Sequence, residues 1–400
     1  MSLYISGLVE RSRKAQKIWA ALSYSQRAKR IKKAGQSLAD KRDKIVEIIH
    51  QENGKLELDA LATEVIPALM AVPYYLRCGK RMCKSHSIRG GNILMSYKRS
   101  RMIYEPWGVV AIISPWNYPF AIPFSEVIMA LLAGNAVLLK TASLTPAIGR
   151  VIAEILEAAD LPEGLFINVE MPGKEAGPAF INAGIDKLFF TGSTAVGKEL
   201  MSLASQRLLP LTLELGGADA AIVCKDADID RAVSGIIWAG FSNAGQSCGG
   251  VQRVIVHQDV YSDFLKNMMH KTEELRPGND FSCDLGPLAS KKGKDEVRAQ
   301  VESCLAKGAE IAAQSPAFKT ANGDTAGTLQ DESLFAPAIV LTCIKHGMPI
   351  MDDEIFGPVI GIIPFKDDLE AVNIANSSPY ALTEVQYGHV TKRKQKKWRH

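Results

Sequence analysis

The stretch "GVVAIISPWNYPFAIPFSEVIMALLAGNAVLLK" (108–140) decides the fold. Two short apolar runs, "VVAII" (109–113) and "AVLLK" (136–140), flank an apolar segment that extends to about Gly134. The same rhythm continues downstream. A helical stretch, "AIGRVIAEILEAAD" (147–160), leads to "LFINV" (165–169), "AGPAFINAG" leads to "KLFF" (187–190), and "AVGKELMSLAS" leads to "LTLEL" (211–215). Repeated strand–helix–strand order predicts a mostly parallel sheet covered by helices. After the Gly216-Gly217 pair, read as a hinge, a second series begins. "AAIV" (220–223), a helix over 228–243, "VQRVIV" (251–256), a helix from Val260, "PAIVL" (337–341) and "VIGIIPF" (359–365) predict another α/β unit. Upstream, the first ninety residues read as helices, with Ser25 as a cap and Ala28, Ile31, Ala34 and Leu38 at helical spacing. "ILMSYKRSRMIYEP" (93–106) alternates loosely and predicts a strand pair that stops at Pro106.

Four hundred residues exceed one ordinary core, and 47% hydrophobic residues suffice to fill two. The seven cysteines form no C-x-x-C pair and no zinc-spaced Cys/His cluster, so the chain is expected in a reducing compartment, the cytoplasm. Charges at Glu10, Arg11, Arg13 and Lys14 interrupt what would be a signal peptide, and Ser125, Glu126 and Asn135 break the most apolar window. No membrane span is expected. The net charge of +4 is local: the final "TKRKQKKWRH" holds six Lys/Arg, and the remainder has 41 against 43 acidic residues. Specific nucleic-acid binding is therefore not expected; six charges without an ordered fold give salt-sensitive attraction only.

Five stretches carry candidate chemistry. "FFTGSTAVGKEL" (189–200) is a strand, a turn and a helix start, where Gly192 and Gly197 permit close backbone approach and free N–H groups could meet a phosphate. Its G-x-x-x-x-G spacing also suits an ordinary α/β turn. Lys140 ends a hydrophobic strand, the position where open α/β sheets bind ligands, although a snorkelling surface lysine reads the same way. In "SPWNYPF" (114–120), prolines and Trp116 rigidify a turn whose Asn117 could donate to an oxyanion or simply form an Asx turn. In "LELGG" (213–217), Glu214 sits inside an apolar strand; desolvation there would raise its pKa toward that of a general base, and a solvent-facing edge position is the alternative. "FSNAGQSCGG" (241–250) surrounds Cys248 with small residues that leave room for a carbonyl, whereas most free cysteines are inert and buried.

Their order adds what none supplies alone. "PWN", "K-x-x-S", "FTGST-x-x-G", "LELGG", "N-x-G-Q-x-C" and "EIFGPV" (354–359) follow one another at orderly intervals, and on them the chain resembles the NAD(P)-dependent aldehyde dehydrogenase superfamily from about residue 1 to 384. The resemblance implies two doubly wound parallel-sheet α/β domains with a small β oligomerisation or bridging element. These are a cofactor-binding domain (1–88 and 105–216), a bridging β-hairpin (89–104) and a catalytic domain (217–384), followed by a basic tail (385–400). It also implies oxidation of an aldehyde, such as a semialdehyde, to the acid, and a homo-oligomer, dimer or tetramer. Cys248 is then the nucleophile, Asn117 and the Cys248 N–H hold the oxyanion, and Glu214 activates water. Lys140, Ser143, Gly192, Ser193, Gly197 and Trp116 hold NAD or NADP, and Glu354 and Phe356 position its nicotinamide end. Acyl transfer to coenzyme A, or an impaired homologue, are the alternatives.

Three departures from the family pattern matter. Ser143 stands where NAD-preferring members often carry Glu, so NADP is expected to be accepted at least as well as NAD. Ala218 and Ala220 replace the usual Lys and Pro after "LELGG", with a modest local effect expected. Finally, "EVQYGHVTKRKQKKWRH" breaks in composition from the body and is expected to be a frameshifted or otherwise aberrant end, without the family's "GG-x-K-x-SG" loop.

Overall fold

A computed structural model describes residues 2–88, 91–92, 94, 97–320 and 323–388. The chain forms two compact units, residues 1–52 with 60–214, and residues 53–59 with 215–400.

The first unit opens with helices α1 (Ser2–Ala20), α2 (Tyr24–Asp40), α3 (Arg42–Asn53) and α4 (Ile66–Met82). The cap of α2 is Ser23 rather than Ser25: the Gln26 N–H donates to Ser23 Oγ at 3.4 Å, and the Ser23 N–H donates to Gln26 Oε1 at 2.8 Å. This reciprocal box requires Gln at the third helical position, which only a cap at Ser23 provides. A separate antiparallel pair follows, β1 (His86–Ile88) with β2 (Ser100–Met102). Only its second strand lies in the stretch predicted from sequence.

The sheet of this unit comprises β3 (Val109–Ile113), β4 (Ala136–Lys140), β5 (Phe166–Asn168), β6 (Lys187–Thr191) and β7 (Leu211–Glu214). All are parallel, in the order β5-β4-β3-β6-β7. The connecting helices are α5 (Ala121–Leu132), α6 (Pro146–Glu157), α7 (Gly173–Ala183) and α8 (Thr194–Ser205). Every residue of β3 and β4 is buried, which is why these strands read as unbroken apolar runs instead of alternating. The order reverses beside β3, so the doubly wound topology places a switch point between the carboxyl ends of β3 and β6. At the opposite end, Asp186 anchors the sheet to α1. Its Oδ2 accepts from the Val109 N–H and from Arg13 Nη1, each at 2.7 Å.

The second unit contains β8 (Asp219–Val223), α9 (Ile229–Phe241), β9 (Val251–His257), α10 (Tyr261–Glu273), α11 (Lys291–Ala306), β10 (Glu310–Gln314), β11 (Phe318–Lys319), β12 (Thr325–Ala326), β13 (Ile339–Thr342), β14 (Val359–Phe365), α12 (Asp368–Ala375) and β15 (Glu384–Tyr387). Its main sheet runs β10-β13-β14-β9-β8-β15, parallel except for β10 at one edge. Strands β8 and β9 alternate between two cores. Ala221, Val223, Val254 and Val256 enter the larger core with Phe241 and Phe264, whereas Ala220, Ile222 and Ile255 face Phe365 and Ala371. Residues 384–387, on which the basic tail was expected to begin, form the edge strand β15 alongside β8. The remainder of that tail, 389–400, lies outside the described residues.

Replacing Ser23 with Ala is expected to lower stability in urea unfolding by about 1 kcal/mol, while Ser25→Ala changes it by less than about 0.5 kcal/mol.

Candidate functional site

In the first unit the candidate residues gather along one edge of the parallel sheet. Register pairs Ile113 with both Lys140 and Phe190, and Thr191 with Glu214, so β3, β4, β6 and β7 end level with one another. From those ends emerge Trp116 and Asn117, Lys140, Gly192 and Ser193, and Glu214. Lys140 is only 4% exposed, so it is not a snorkelling surface lysine. Its Nζ donates to Ser143 Oγ at 3.4 Å, and a Cβ added to Gly173, at the start of α7, would lie 3.4 Å from it. Burial lowers the Lys140 pKa. Asn117 is buried, and Trp116 is half-buried.

Ser193 caps α8, its Oγ accepting the Val196 N–H at 3.4 Å, and Gly197 is buried in the first turn. At Gly192 a Cβ would sit 2.6 Å from the tip of the Phe190 ring, so any larger residue requires that ring to move. Ser114 Oγ and Thr191 Oγ1, both buried at the ends of β3 and β6, have no hydrogen-bond partner among the described residues. Orphaned hydroxyls beside a helix N-terminus and a buried lysine fit the phosphates and ribose of a dinucleotide.

Glu214 is the last residue of β7 and exposed, the solvent-facing of the two positions that the sequence left open. The desolvated carboxylate is its neighbour Glu126 on α5, whose pKa is pushed up to about 8 by burial and then by the Glu214 charge. Nothing in "PFSEVIM" marked Glu126, because a lone Glu in a helix is ordinarily solvated.

In the second unit the candidates lie at the amino ends of the strands, opposite to the usual rule for open α/β sheets. Cys248 precedes β9, while Glu354 and Phe356 precede β14. Three successive left-handed residues, Asn243 (φ 52°), Ala244 (φ 53°) and Gly245 (φ 69°), turn the chain out of α9 toward the thiol. Such strain persists only when surroundings over-determine it. Here Asn243 Nδ2 donates to the Gln246 carbonyl and Gln246 Nε2 returns the bond to the Asn243 carbonyl, each at 3.0 Å. Asp59 Oδ2 takes the Asn243 N–H at 2.9 Å, and Gln246 Oε1 takes the Ala289 N–H at 2.9 Å.

The Glu354 loop is held as firmly. Buried Gln252 on β9 donates to the carbonyls of Ile350 (3.0 Å) and Asp353 (2.7 Å) and accepts from the Ile355 N–H (2.9 Å). Phe356 itself is left-handed, at φ 52°. Glu354 Oε1 accepts the Gly217 N–H at 3.2 Å, and a Cβ on Gly216 would overlap the Glu354 carboxylate, so the glycine pair admits this acid rather than serving only as a hinge. Burial pushes the half-buried Cys248 thiol up; the Gly249 N–H opposes this, while Glu354 and Asp219 add to it. Burial also raises Glu354, against the Gly217 N–H and with a further push from Asp219. Asn243 and Gln246 are the amides of the "N-x-G-Q-x-C" motif, to which the sequence assigned no role of their own, whereas Gln252 and Asp219 escaped the sequence reading because an isolated amide or acid carries no spacing signal. Among the described residues no group of three His, Cys, Asp or Glu could hold a metal ion, and no helix is long and apolar enough to cross a membrane.

Comparison with known proteins bears on the family and the fold. The aldehyde dehydrogenase family model matches residues 5–397, beyond the point where the motifs stop. The chain is 35% identical over 372 residues to a 4,4'-diapolycopene aldehyde oxidase of Methylomonas sp, covering 93% of this chain and 67% of that protein. It is 34% identical to a putative succinate-semialdehyde dehydrogenase [NADP(+)] 2 of Mycobacterium ulcerans, covering 93% and 69%. Among solved structures, an NADP-dependent enzyme of E. coli superposes with a TM-score of 0.90 at 28% identity, covering 99% of this chain and 79% of that one. An aldehyde dehydrogenase of Brucella melitensis biovar abortus 2308 gives 0.89 at 30% identity, covering 99% and 79%.

A Cβ on Gly245 would run into the Gly357 backbone at a positive φ, whereas Gly308 (φ 96°) has open space around it. Gly245→Ala is therefore expected to lose at least about 2 kcal/mol in denaturant unfolding, and Gly308→Ala only about 1 kcal/mol.

Proposed function

The chain belongs to the aldehyde dehydrogenase family, and we propose that Cys248 is the nucleophile with which it oxidises an aldehyde to the carboxylic acid, using NAD or NADP. The observation that carries this reading is the seat of Cys248. Its loop is built from three left-handed residues locked by paired amides, a strained backbone that a merely packed cysteine would not need.

Ionised Sγ adds to the carbonyl carbon and gives a tetrahedral adduct, whose oxyanion takes hydrogen bonds from the Asn117 amide and the Cys248 N–H. A bound nicotinamide dinucleotide supplies the hydride acceptor. Lys140, Ser143, Gly192, Ser193, Gly197 and Trp116 hold its adenosine and phosphate end, and Glu354 and Phe356 its nicotinamide end. Once a thioester stands on Cys248, Glu214 takes a proton from water, which attacks the acyl carbon and frees the thiol. The exposed position of Glu214 at the end of β7 suits a base that must meet water, and it favours hydrolysis over acyl transfer to coenzyme A.

The substrate class we propose is an aliphatic aldehyde or semialdehyde, in line with the relatives' names. The Lys140–Ser143 contact, with no carboxylate at position 143, supports acceptance of a 2′-phosphate and hence of NADP. Seven cysteines, none in a disulfide among the described residues, support a reducing, cytoplasmic setting. The β1–β2 pair, with Ile88 and Met102 exposed, supports assembly into a homo-oligomer.

Cys248→Ser is expected to abolish turnover across a panel of aliphatic aldehydes and semialdehydes. Asn117→Ala should lower kcat by about 10²–10³-fold. Glu214→Gln should give a burst of about one equivalent of reduced cofactor and then stall, with steady-state kcat down about 10²–10⁴-fold. Turnover by Cys248→Ser at the wild-type rate overturns the nucleophile assignment. For the cofactor, kcat/KM with NADP is expected to equal or exceed that with NAD; a preference for NAD above about tenfold, or about 1.4 kcal/mol, contradicts it.

A further inference from the structure

Asp219 begins β8 with 3% of its surface exposed, and no step described above uses it. Its Oδ1 accepts the Thr383 N–H at 3.0 Å, while its buried Oδ2 has no hydrogen-bond partner among the described residues. A half-satisfied buried carboxylate is costly and calls for a reason.

Its surroundings supply one. A Cβ on Gly217 would lie 3.1 Å from Asp219 Oδ1 and would overlap the Cys248 carbonyl oxygen. On Gly249 it would lie 3.5 Å from Oδ2 and 3.4 Å from the Thr383 methyl. The carboxylate thus fills the space bounded by Gly217, Gly249 and Thr383, with its unpartnered oxygen on the side of the thiol loop. Arg253 on β9, itself 2% exposed, is the nearby cation. Its guanidinium is engaged by backbone carbonyls, those of Ala218 (3.0 and 2.8 Å), Ile374 (3.0 Å) and Ala375 (3.1 Å). Glu354 faces the same thiol from the loop before β14, and Tyr380 lies beside Glu354 from the chain leading to β15.

We propose that Asp219 is a positioning residue for Cys248: the Thr383 N–H holds its carboxylate against the Gly249 side of the thiol loop, where its charge opposes a second anion. The inference rests on the reading of Cys248 as the nucleophile. Two anions packed into one low-dielectric pocket cannot both form cheaply, so each opposes ionisation of the other. Burial pushes the Asp219 carboxyl up to about 6, against the Thr383 N–H and Arg253. As pH rises through that value Asp219 becomes charged, and from then on the thiol is harder to ionise. Such a device keeps the resting sulfur protected from oxidation and leaves activation to whatever neutralises or displaces the carboxylate.

The test is the pH profile of Cys248 alkylation by iodoacetamide in the full chain, followed at that residue by peptide mass spectrometry. In the wild type, log rate should climb by about one per pH unit, flatten across about pH 6 and resume its climb above it. Asp219→Asn should remove the flattening and raise the rate above it by about three- to tenfold, an effect of half to one pKa unit. Glu354→Gln should keep the flattening. An unbroken unit slope in the wild type overturns the proposal even where Asp219→Asn fails to fold, as does a profile left unchanged by Asp219→Asn or a flattening lost in Glu354→Gln. Failure of the nucleophile reading would show separately, as turnover retained in Cys248→Ser.

Discussion

The level ending of four parallel strands is the constraint on which the first unit's chemistry depends. Backbone ladders between β3, β4, β6 and β7 pair Ile113 with Lys140 and Phe190, and Thr191 with Glu214. A slip by one residue would turn every following side chain to the other face of the sheet. With the register held, Asn117, Lys140, Ser193 and Glu214 leave the sheet at one edge, though up to 97 residues of chain separate them. The switch point in strand order supplies the crevice there, and the N-terminus of α8 supplies the unsatisfied N–H groups.

In the second unit the work passes from ladders to side-chain amides. Gln252, Gln246 and Asn243 each satisfy backbone groups of irregular chain, and the loops before β9 and β14 are held by them rather than by strand pairing. Glycines stand where a carboxylate or a carbonyl approaches: Gly216 against Glu354, Gly217 against the Cys248 carbonyl, Gly245 against Gly357. The result is a small acidic enclosure of Asp219 and Glu354 around one thiol. Burial first, and then those acids, push the Cys248 thiol up, so the enclosure favours the neutral sulfur over the thiolate.

Several features were legible in the sequence for clear physical reasons. Strands buried on both faces appear as unbroken apolar runs, so β3, β4 and β14 were found at their observed boundaries. Helix ends were less legible. Ser23 and Ser25 are both plausible caps by type, and only the reach of Gln26 back to Ser23 separates them. The strand pair was half found, because β1 lies in "HSI", too short and too polar to alternate visibly. The sequence left Glu214 open between a desolvated and a solvent-facing position, because its neighbours in sequence are apolar yet a strand's last residue can clear the sheet into solvent.

The sequence by itself determined the α/β alternation, the order of the motifs and the candidates for each reactive group, since residue type and hydrophobic period are local properties. Tertiary structure alone decided the environments. Which acid is buried (Glu126 and Asp219, not Glu214), which lysine is desolvated, and which glycines are irreplaceable all follow from atoms distant in the chain. Dielectric surroundings and steric clearance are properties of what packs around a group, and that is settled only when the sheets have formed.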